Sequence, residues 1–191
     1  MSERADRFTV VLDANVLASG LGRNILLSLA EAGLFRPRWT DAILDETERA
    51  ISKIIGDPAK AKTQRKRIEK AFPEACINGH EIFVDGLQLK DPDDRHVVAA
   101  AIRTRAAIIV TDNLKDFDPD VLEALDIQCL GLDDFVADQI DLAGPEAIEA
   151  LKVMRERFKN PAISAEDMIR RIEARGHVQT ASLLENYASL L

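Results

Sequence analysis

The chain has 191 residues, of which 47% are hydrophobic and 30% charged, and its formal net charge is -8. This fits one globular domain, or one domain with an appendage, and excludes a disordered polymer. No apolar run approaches the ~20 residues needed to cross a bilayer, and the start, MSERADRFTVVLD, lacks the apolar core of a signal peptide, so a cytoplasmic location is expected.

FTVVLD, residues 8–13, is a β-branched run ending in an aspartate and predicts a buried parallel strand. RNILLSLAEAGL follows as a helix, with Gly33 as its stop. TDAILDETERAISKII predicts a helix opened by Thr40 as N-cap, with Ile43, Leu44, Ala50, Ile51, Ile54 and Ile55 at helical spacing. Gly56-Asp57-Pro58 ends it, and a basic helix runs to about Phe72. EIFVD, residues 81–85, predicts a short strand. LKDPDDRHVVAAA then opens a helix that ends near Arg105. AAIIVTDN, residues 106–113, predicts a second buried strand, followed by a short helix near 120–125 and the strand DIQCLG. Strands alternating with helices predict an α/β fold with a mainly parallel sheet covered on both faces. After about residue 140 the pattern becomes helical, in GPEAIEALKVMRERF, SAEDMIRRIEARG and HVQTASLLENYASLL, with Pro145 in a first turn and Ser164 as a cap. Nothing in this tail has a catalytic pattern.

Cys76 and Cys129 stand alone, without CxxC spacing or a nearby histidine, so buried free thiols are expected. His80, His96 and His177 are scattered. A metal site in this chain would be built from oxygen ligands, which favours Mg²⁺ or Mn²⁺ over zinc. The acidic net charge opposes polyanion binding, but KAKTQRKRIEK, residues 60–70, carries Lys60, Lys62, Arg65, Lys66, Arg67 and Lys70 against one acid, Glu69. Such a run is either a solvated helix face or a phosphate-binding surface.

The acids divide between two explanations. Asp91, Asp93 and Asp94 suit a helix start, with Asp91 as N-cap and Pro92 in the first turn. They could also hold a metal together with Asp13. In an open α/β sheet ligands gather beyond the carboxyl ends of the strands; Asp13 ends one strong strand, and Thr111, Asp112 and Asn113 end the other. On the helix after Thr40, Glu46 and Glu48 lie on opposite borders of the apolar stripe, and periodicity does not choose between them. Trp39 reads as a core residue rather than a base-stacking one.

Four segments bring these residues into one pattern: VVLDANVL at 10–17, RWTDAILDETERAI at 38–51, DPDDRHVVAAAI at 91–102 and IIVTDNLKDFDP at 109–119. In their spelling and order the chain resembles the PIN-domain family, and within it the bacterial VapC-type toxin ribonucleases, over roughly residues 8–137. The resemblance implies a compact three-layer α/β/α fold; with the change of pattern after about residue 140, the expected division is a domain over residues 1–140 and a helical extension over residues 141–191, packed on the domain or on a partner. It implies a shared acidic pocket of Asp13, Glu46 and Asp94 with Asp91 nearby, and so selects Glu46 over Glu48. Many members carry Thr-x-Asp after the last core strand, whereas this chain has Thr111-Asp112-Asn113. That departure leaves open whether Asp112 or Asn113 fills the fourth position.

The implied activity is Mg²⁺- or Mn²⁺-dependent hydrolysis of RNA phosphodiester bonds, leaving a 5′-phosphate and a 3′-hydroxyl. Asp13 and Asp94, with Asp91 and Asp112, are the candidate metal ligands. Glu46 and Asn113 are candidate catalytic residues beside them. Asn15, Thr111, Lys62, Arg65 and Lys66 are candidates for holding substrate. His96 and Arg95 lie in the same acidic helix, with packing or surface roles expected. As a toxin of a type II toxin-antitoxin pair, the protein would have a cognate antitoxin and form a homodimer. Two other functions compete. Asn113 raises that of a non-catalytic RNA- or partner-binding module with a degraded metal site. A strand-terminal aspartate raises that of a phosphatase of haloacid-dehalogenase type, but Asp-Ala-Asn lacks the second aspartate that such chemistry uses.

Overall fold

A computed structural model describes residues 8–191. MSERADR, read above as part of a start without an apolar leader core, lies outside the described residues. The structure is α/β, with a four-stranded, all-parallel sheet and a helical C-terminal part. The chain divides into two compact units. One comprises Phe8–Gly20 and Arg36–Gly131; the other comprises Leu21–Phe35 and Leu132–Leu191 among the described residues.

The first unit holds the sheet. Its strands are β1 (Thr9–Leu12), β2 (Arg36–Arg38), β3 (Ile108–Val110) and β4 (Gln128–Leu130), in the order β2-β1-β3-β4. Val10 pairs with Ile108 and Leu12 with Val110, so β1 and β3 end level with one another. The two runs of β-branched residues become the centre of the sheet because both their faces are covered. Val10, Val11, Leu12, Ile109 and Val110 are fully buried. Chain order reverses direction between β1 and β3, and such a switch point opens a crevice at the carboxyl ends of the strands.

β2, spelled Arg-Pro-Arg, carries no apolar alternation and is not predicted by its sequence. Pro37 is tolerated because β2 is an edge strand, where a missing N–H costs no internal ladder bond. The strand expected at EIFVD is instead a short helix, α5 (Glu81–Val84), which follows α1 (Ala14–Ala18), α2 (Gly20–Glu31), α3 (Asp41–Ile55) and α4 (Pro58–Ala71) along the chain. Three apolar residues in a row do not distinguish strand from helix. Here no strand pairs with them, no residue of α5 is buried, and Ile82 is 78% exposed.

The expected caps form. The Thr40 hydroxyl accepts from the Ile43 N–H at 3.2 Å, and Gly56 closes α3 with φ of 67°. Asp91 accepts from the Asp93 N–H at 2.9 Å and starts a one-turn 3-10 segment, Pro92–Asp94, which runs into α6 (Arg95–Thr104). α6 buries Val97 to Ala101 and leads directly into β3, so its N-terminus stands at the carboxyl rim of the sheet. The connection after α5 brings it there. Trp39 is fully buried, with its ring edge-on to Phe72 at 6.0 Å, so it is a core residue. α7 (Pro119–Glu123) completes this unit.

The second unit is helical. It contains most of α2, with α8 (Leu132–Leu142), α9 (Gly144–Glu156), α10 (Ala165–Glu173) and α11 (Val178–Glu185). Phe35 and Phe135 meet edge-on at 5.0 Å, and Arg157 pairs with Glu31 at 2.8 Å. Ser164 caps α10 through the Asp167 N–H at 3.1 Å. α11 has no cap of its own. Asp133, in the first turn of α8, supplies one by accepting from the N–H groups of Gln179 and Thr180, each at 2.9 Å. Among the described residues no helix is long and apolar enough to cross a membrane.

Candidate active site

The crevice between β1 and β3 is organised around Asp13. Its backbone N–H extends the sheet by donating to the Val110 carbonyl at 3.1 Å, and its side chain caps α1 through the Ala14 N–H at 2.6 Å. The other carboxylate oxygen accepts from the Thr111 hydroxyl at 2.8 Å and from Asn15 Nδ2 at 2.6 Å. Asn15 Nδ2 also reaches Thr111 Oγ1 at 2.6 Å, and the Asn113 N–H donates to that oxygen at 3.1 Å. The Thr111 hydroxyl therefore gives its proton to Asp13 and uses both lone pairs within the protein. Asn15 Oδ1 accepts from the Asp112 N–H at 3.0 Å, closing the link between the two strand ends. Asp13 and Thr111 are buried, and this network fixes the carboxylate in one orientation.

Asp94 lies at the start of α6, half-buried, and its carboxylate accepts no hydrogen bond among the described residues. Burial, then repulsion from Asp13, Asp91 and Asp116, pushes its pKa up to about 6, against a smaller opposing effect of His96. Asp13 is also raised. Burial is the main cause and Glu46 adds to it, while the bonds from Thr111 and Ala14 pull the other way. Cys129 registers the same field: its thiol is pushed up to about 12 by burial and by the charges of Asp13 and Asp94. Both cysteines are free, half-buried thiols.

Glu46 and Glu48, equivalent on the helical wheel, face different neighbours. Glu46 Oε1 lies 3.4 Å from His96 Nε2 and 3.8 Å from Arg49, and its charge reaches Asp13. Glu48 turns toward α4, where it lies 3.7 Å from Arg65. Burial lowers the His96 pKa, but Glu46, Asp13 and Asp94 outweigh burial and raise it. His96 thus lies beside Glu46 among the acids.

Asp116 is an acid that the sequence analysis did not single out. Carboxylate oxygens of Asp91, Asp94 and Asp116 lie within 4.8 Å of one another. The 3-10 turn Leu114–Asp116 folds Asp116 back, and Asn113 Nδ2 donates to its carboxylate. Asp13, Glu46 and Asp112 are not among these three. The signal was the i, i+3 spacing of Asn113 and Asp116 in TDNLKDF, legible only once a turn is assumed there.

The basic helix lies elsewhere in the same unit. Lys62, Arg65 and Lys66 line a cleft of about 750 Å³ between α3 and α4, which neither Asp13 nor Asp94 lines. Arg65 is engaged by four carboxylates: Asp41 at 3.3 Å, Glu48 at 3.7 Å, Glu69 at 2.9 Å, and Asp45. Its guanidinium is committed to holding α3 against α4.

A family model described as PIN domain matches residues 9–115, more than half of the chain, including Asp13, Glu46, Asp91, Asp94 and Thr111. The chain belongs to the PIN-domain family. A second model, described as VapC50 C-terminal domain, matches residues 132–186. The chain is also similar to a protein named "Putative ribonuclease VapC50" from Mycobacterium tuberculosis (strain ATCC 25618 / H37Rv), with 40% identity over 76 residues. That match covers 40% of this chain and 45% of the relative, so under half of the relative's length is represented. No solved structure matches the chain. For a PIN-domain protein the donor set fits a hard divalent cation. It consists of carboxylate oxygens, three of them closely grouped, and Asp94 is raised by burial and then by its neighbours' charge, with no hydrogen-bond donor to its carboxylate to offset them.

Proposed function

We propose that this PIN-domain protein is a metal-dependent endoribonuclease and the toxin partner of a small antitoxin. What carries the reading is the electrostatic coupling of Asp13, Glu46 and Asp94, which come from three distant segments. Asp13 is raised in part by Glu46, and Asp94 by Asp13. Carboxylates that repel one another in a cleft need a cation or a proton, and at neutral pH a cation is the available partner. The resemblance to VapC50, named as a ribonuclease, supports RNA as the substrate.

In this reading Asp13 and Asp94 hold Mg²⁺ or Mn²⁺, with Asp91 and Asp116 beside them. The bound ion supplies charge neutralisation at the phosphoryl oxygens and a more acidic water. Glu46 orients the attacking water and takes its proton, and His96 and Arg49 hold Glu46 in place. Asn15 and Thr111 set the Asp13 carboxylate rather than contact substrate, because their polar groups are already bonded to one another and to Asp13. Asn113 aims Asp116, which supplies the acid that the Thr-x-Asn spelling lacks. The products are a 5′-phosphate and a 3′-hydroxyl. A basic side chain of the antitoxin would compensate the same cluster of acids, and a homodimer is the expected assembly.

The test is cleavage of single-stranded RNA with Mg²⁺ or Mn²⁺, compared with EDTA. Asp13→Asn and Asp94→Asn should each lower the rate at least 100-fold, while Asp93→Asn, exposed and outside the cluster, should retain it. Cleavage that survives both site changes would reject the assignment. RNA binding without any metal-stimulated cleavage would favour the binding-module alternative.

A further inference from the structure

The α3–α4 cleft has no role in the chemistry above, yet its charges are unevenly satisfied. Three carboxylates line it, Asp45, Glu48 and Glu69, and all three are engaged by Arg65. The other cationic side chains in the lining are Arg49, Lys53, Lys62 and Lys66. The three lysines are exposed and form no ion pair or hydrogen bond among the described residues. The lining thus carries five cationic groups, Arg65 among them, against three carboxylates, on a chain whose net charge is -8. Three exposed lysines without acidic partners, in a lining where cationic groups outnumber carboxylates, form an anion-attracting surface.

The cleft also connects to the candidate active site. Arg49 lines it and lies 3.8 Å from Glu46. Glu46, Arg49 and Lys53 are spaced i, i+3, i+7 on α3, which places them along one stripe. At 1.5 Å rise per residue, Lys53 lies about 10 Å along the helix axis from Glu46. Lys62 and Lys66, at i and i+4 on α4, form the facing wall. A chain of phosphates leaving a scissile bond at Glu46 would meet Arg49 first and then the three lysines.

We propose that the α3–α4 cleft is an extended binding site for the phosphate backbone of single-stranded RNA, held by Lys53, Lys62 and Lys66, with Arg49 at its junction with the catalytic acids. Arg65 is a positioning residue for this site: it engages the lining carboxylates without touching phosphate. The inference rests on the ribonuclease reading for the identity of the polyanion, but its own observable is binding.

The experiment uses the full chain with Asp13→Asn, which removes cleavage, and a 20-nucleotide fluorescent single-stranded RNA read by anisotropy. Combining Lys53→Gln, Lys62→Gln and Lys66→Gln should weaken binding at least 10-fold. It should also reduce the slope of log K against log salt by about 2, from three lost contacts at about 0.7 each. The triple Lys→Arg variant should bind like its parent. With Asp13 restored, the glutamine triple should raise KM at least 10-fold on the 20-mer and less than twofold on a trinucleotide, which is too short to reach Lys53. Parental affinity and parental salt slope in the glutamine triple would overturn the proposal. So would an RNA-indifferent protein that binds anionic vesicles or polyglutamate through the same lysines. Lysine-dependent RNA binding without cleavage under any metal would sink the ribonuclease reading and leave the cleft. Active cleavage with an indifferent triple variant would do the reverse.

Discussion

Replacing Asp94 with asparagine should make the metal-free protein more stable at neutral pH, because folding places this carboxylate among charges of its own sign. Burial, and then Asp13, Asp91 and Asp116, raise its pKa from 3.8 to about 6. An acid with a raised folded pKa contributes stability that is complete below pH 3.8 and is lost as pH rises through about 6. At 1.36 kcal/mol per pH unit the gap corresponds to about 3 kcal/mol. Asp94 is only half-buried, and solvent screening reduces the effect to about 1–2 kcal/mol. Asparagine keeps the shape and removes the charge. In EDTA at pH 7.5, Asp94→Asn should therefore unfold at a higher urea concentration than the unmodified chain and melt about 2–8 °C higher. The gain should vanish at pH 4. Millimolar Mg²⁺ should raise the midpoint of the unmodified chain and leave Asp94→Asn where it was. A variant no more stable at pH 7.5, or one equally stabilised at pH 4, would refute the placement of Asp94 among these acids.

Thr111→Val removes a hydroxyl bonded to Asp13, Asn15 and Asn113 and should cost about 1–3 kcal/mol in urea unfolding; full stability in this variant would contradict the network. His96→Gln tests the other wall of the crevice. The raised His96 pKa contributes stability present below 6.5 and lost as pH rises through the folded value, so the penalty of the change should be larger at pH 6 than at pH 9. Asp133→Ala uncaps α11 and should cost about 0.5–2 kcal/mol while leaving RNA cleavage unaltered; a parallel loss of cleavage would mean that the α8–α11 pairing bears on the catalytic unit.

Two strands were legible because FTVVL and AAIIV have apolar residues on both faces and end in polar ones, as central parallel strands do. Thr40, Asp91 and Ser164 were legible as caps because capping is decided within three residues of chain. EIFVD and Arg-Pro-Arg were misread or passed over because their states depend on a pairing partner, absent in one case and present in the other. Periodicity placed Glu46 and Glu48 on equal terms, and only the positions of His96 and Arg65 separate them. The basic run of α4 was plain in the sequence. That one of its members is enclosed by carboxylates of the preceding helix was not, because Asp41, Asp45 and Glu48 approach Arg65 only through packing.

Residues 21–35 belong by their contacts with the last sixty residues of the chain, although they are threaded between the first strand and the second. The C-terminal helices are consequently not a cassette that can be gained or shed by a single cut. A fragment ending at residue 131 would keep Phe35 and Glu31 while discarding Phe135 and Arg157, against which they rest. Evolution and the protein engineer face the same constraint: shortening the tail requires rewriting a segment a hundred residues upstream.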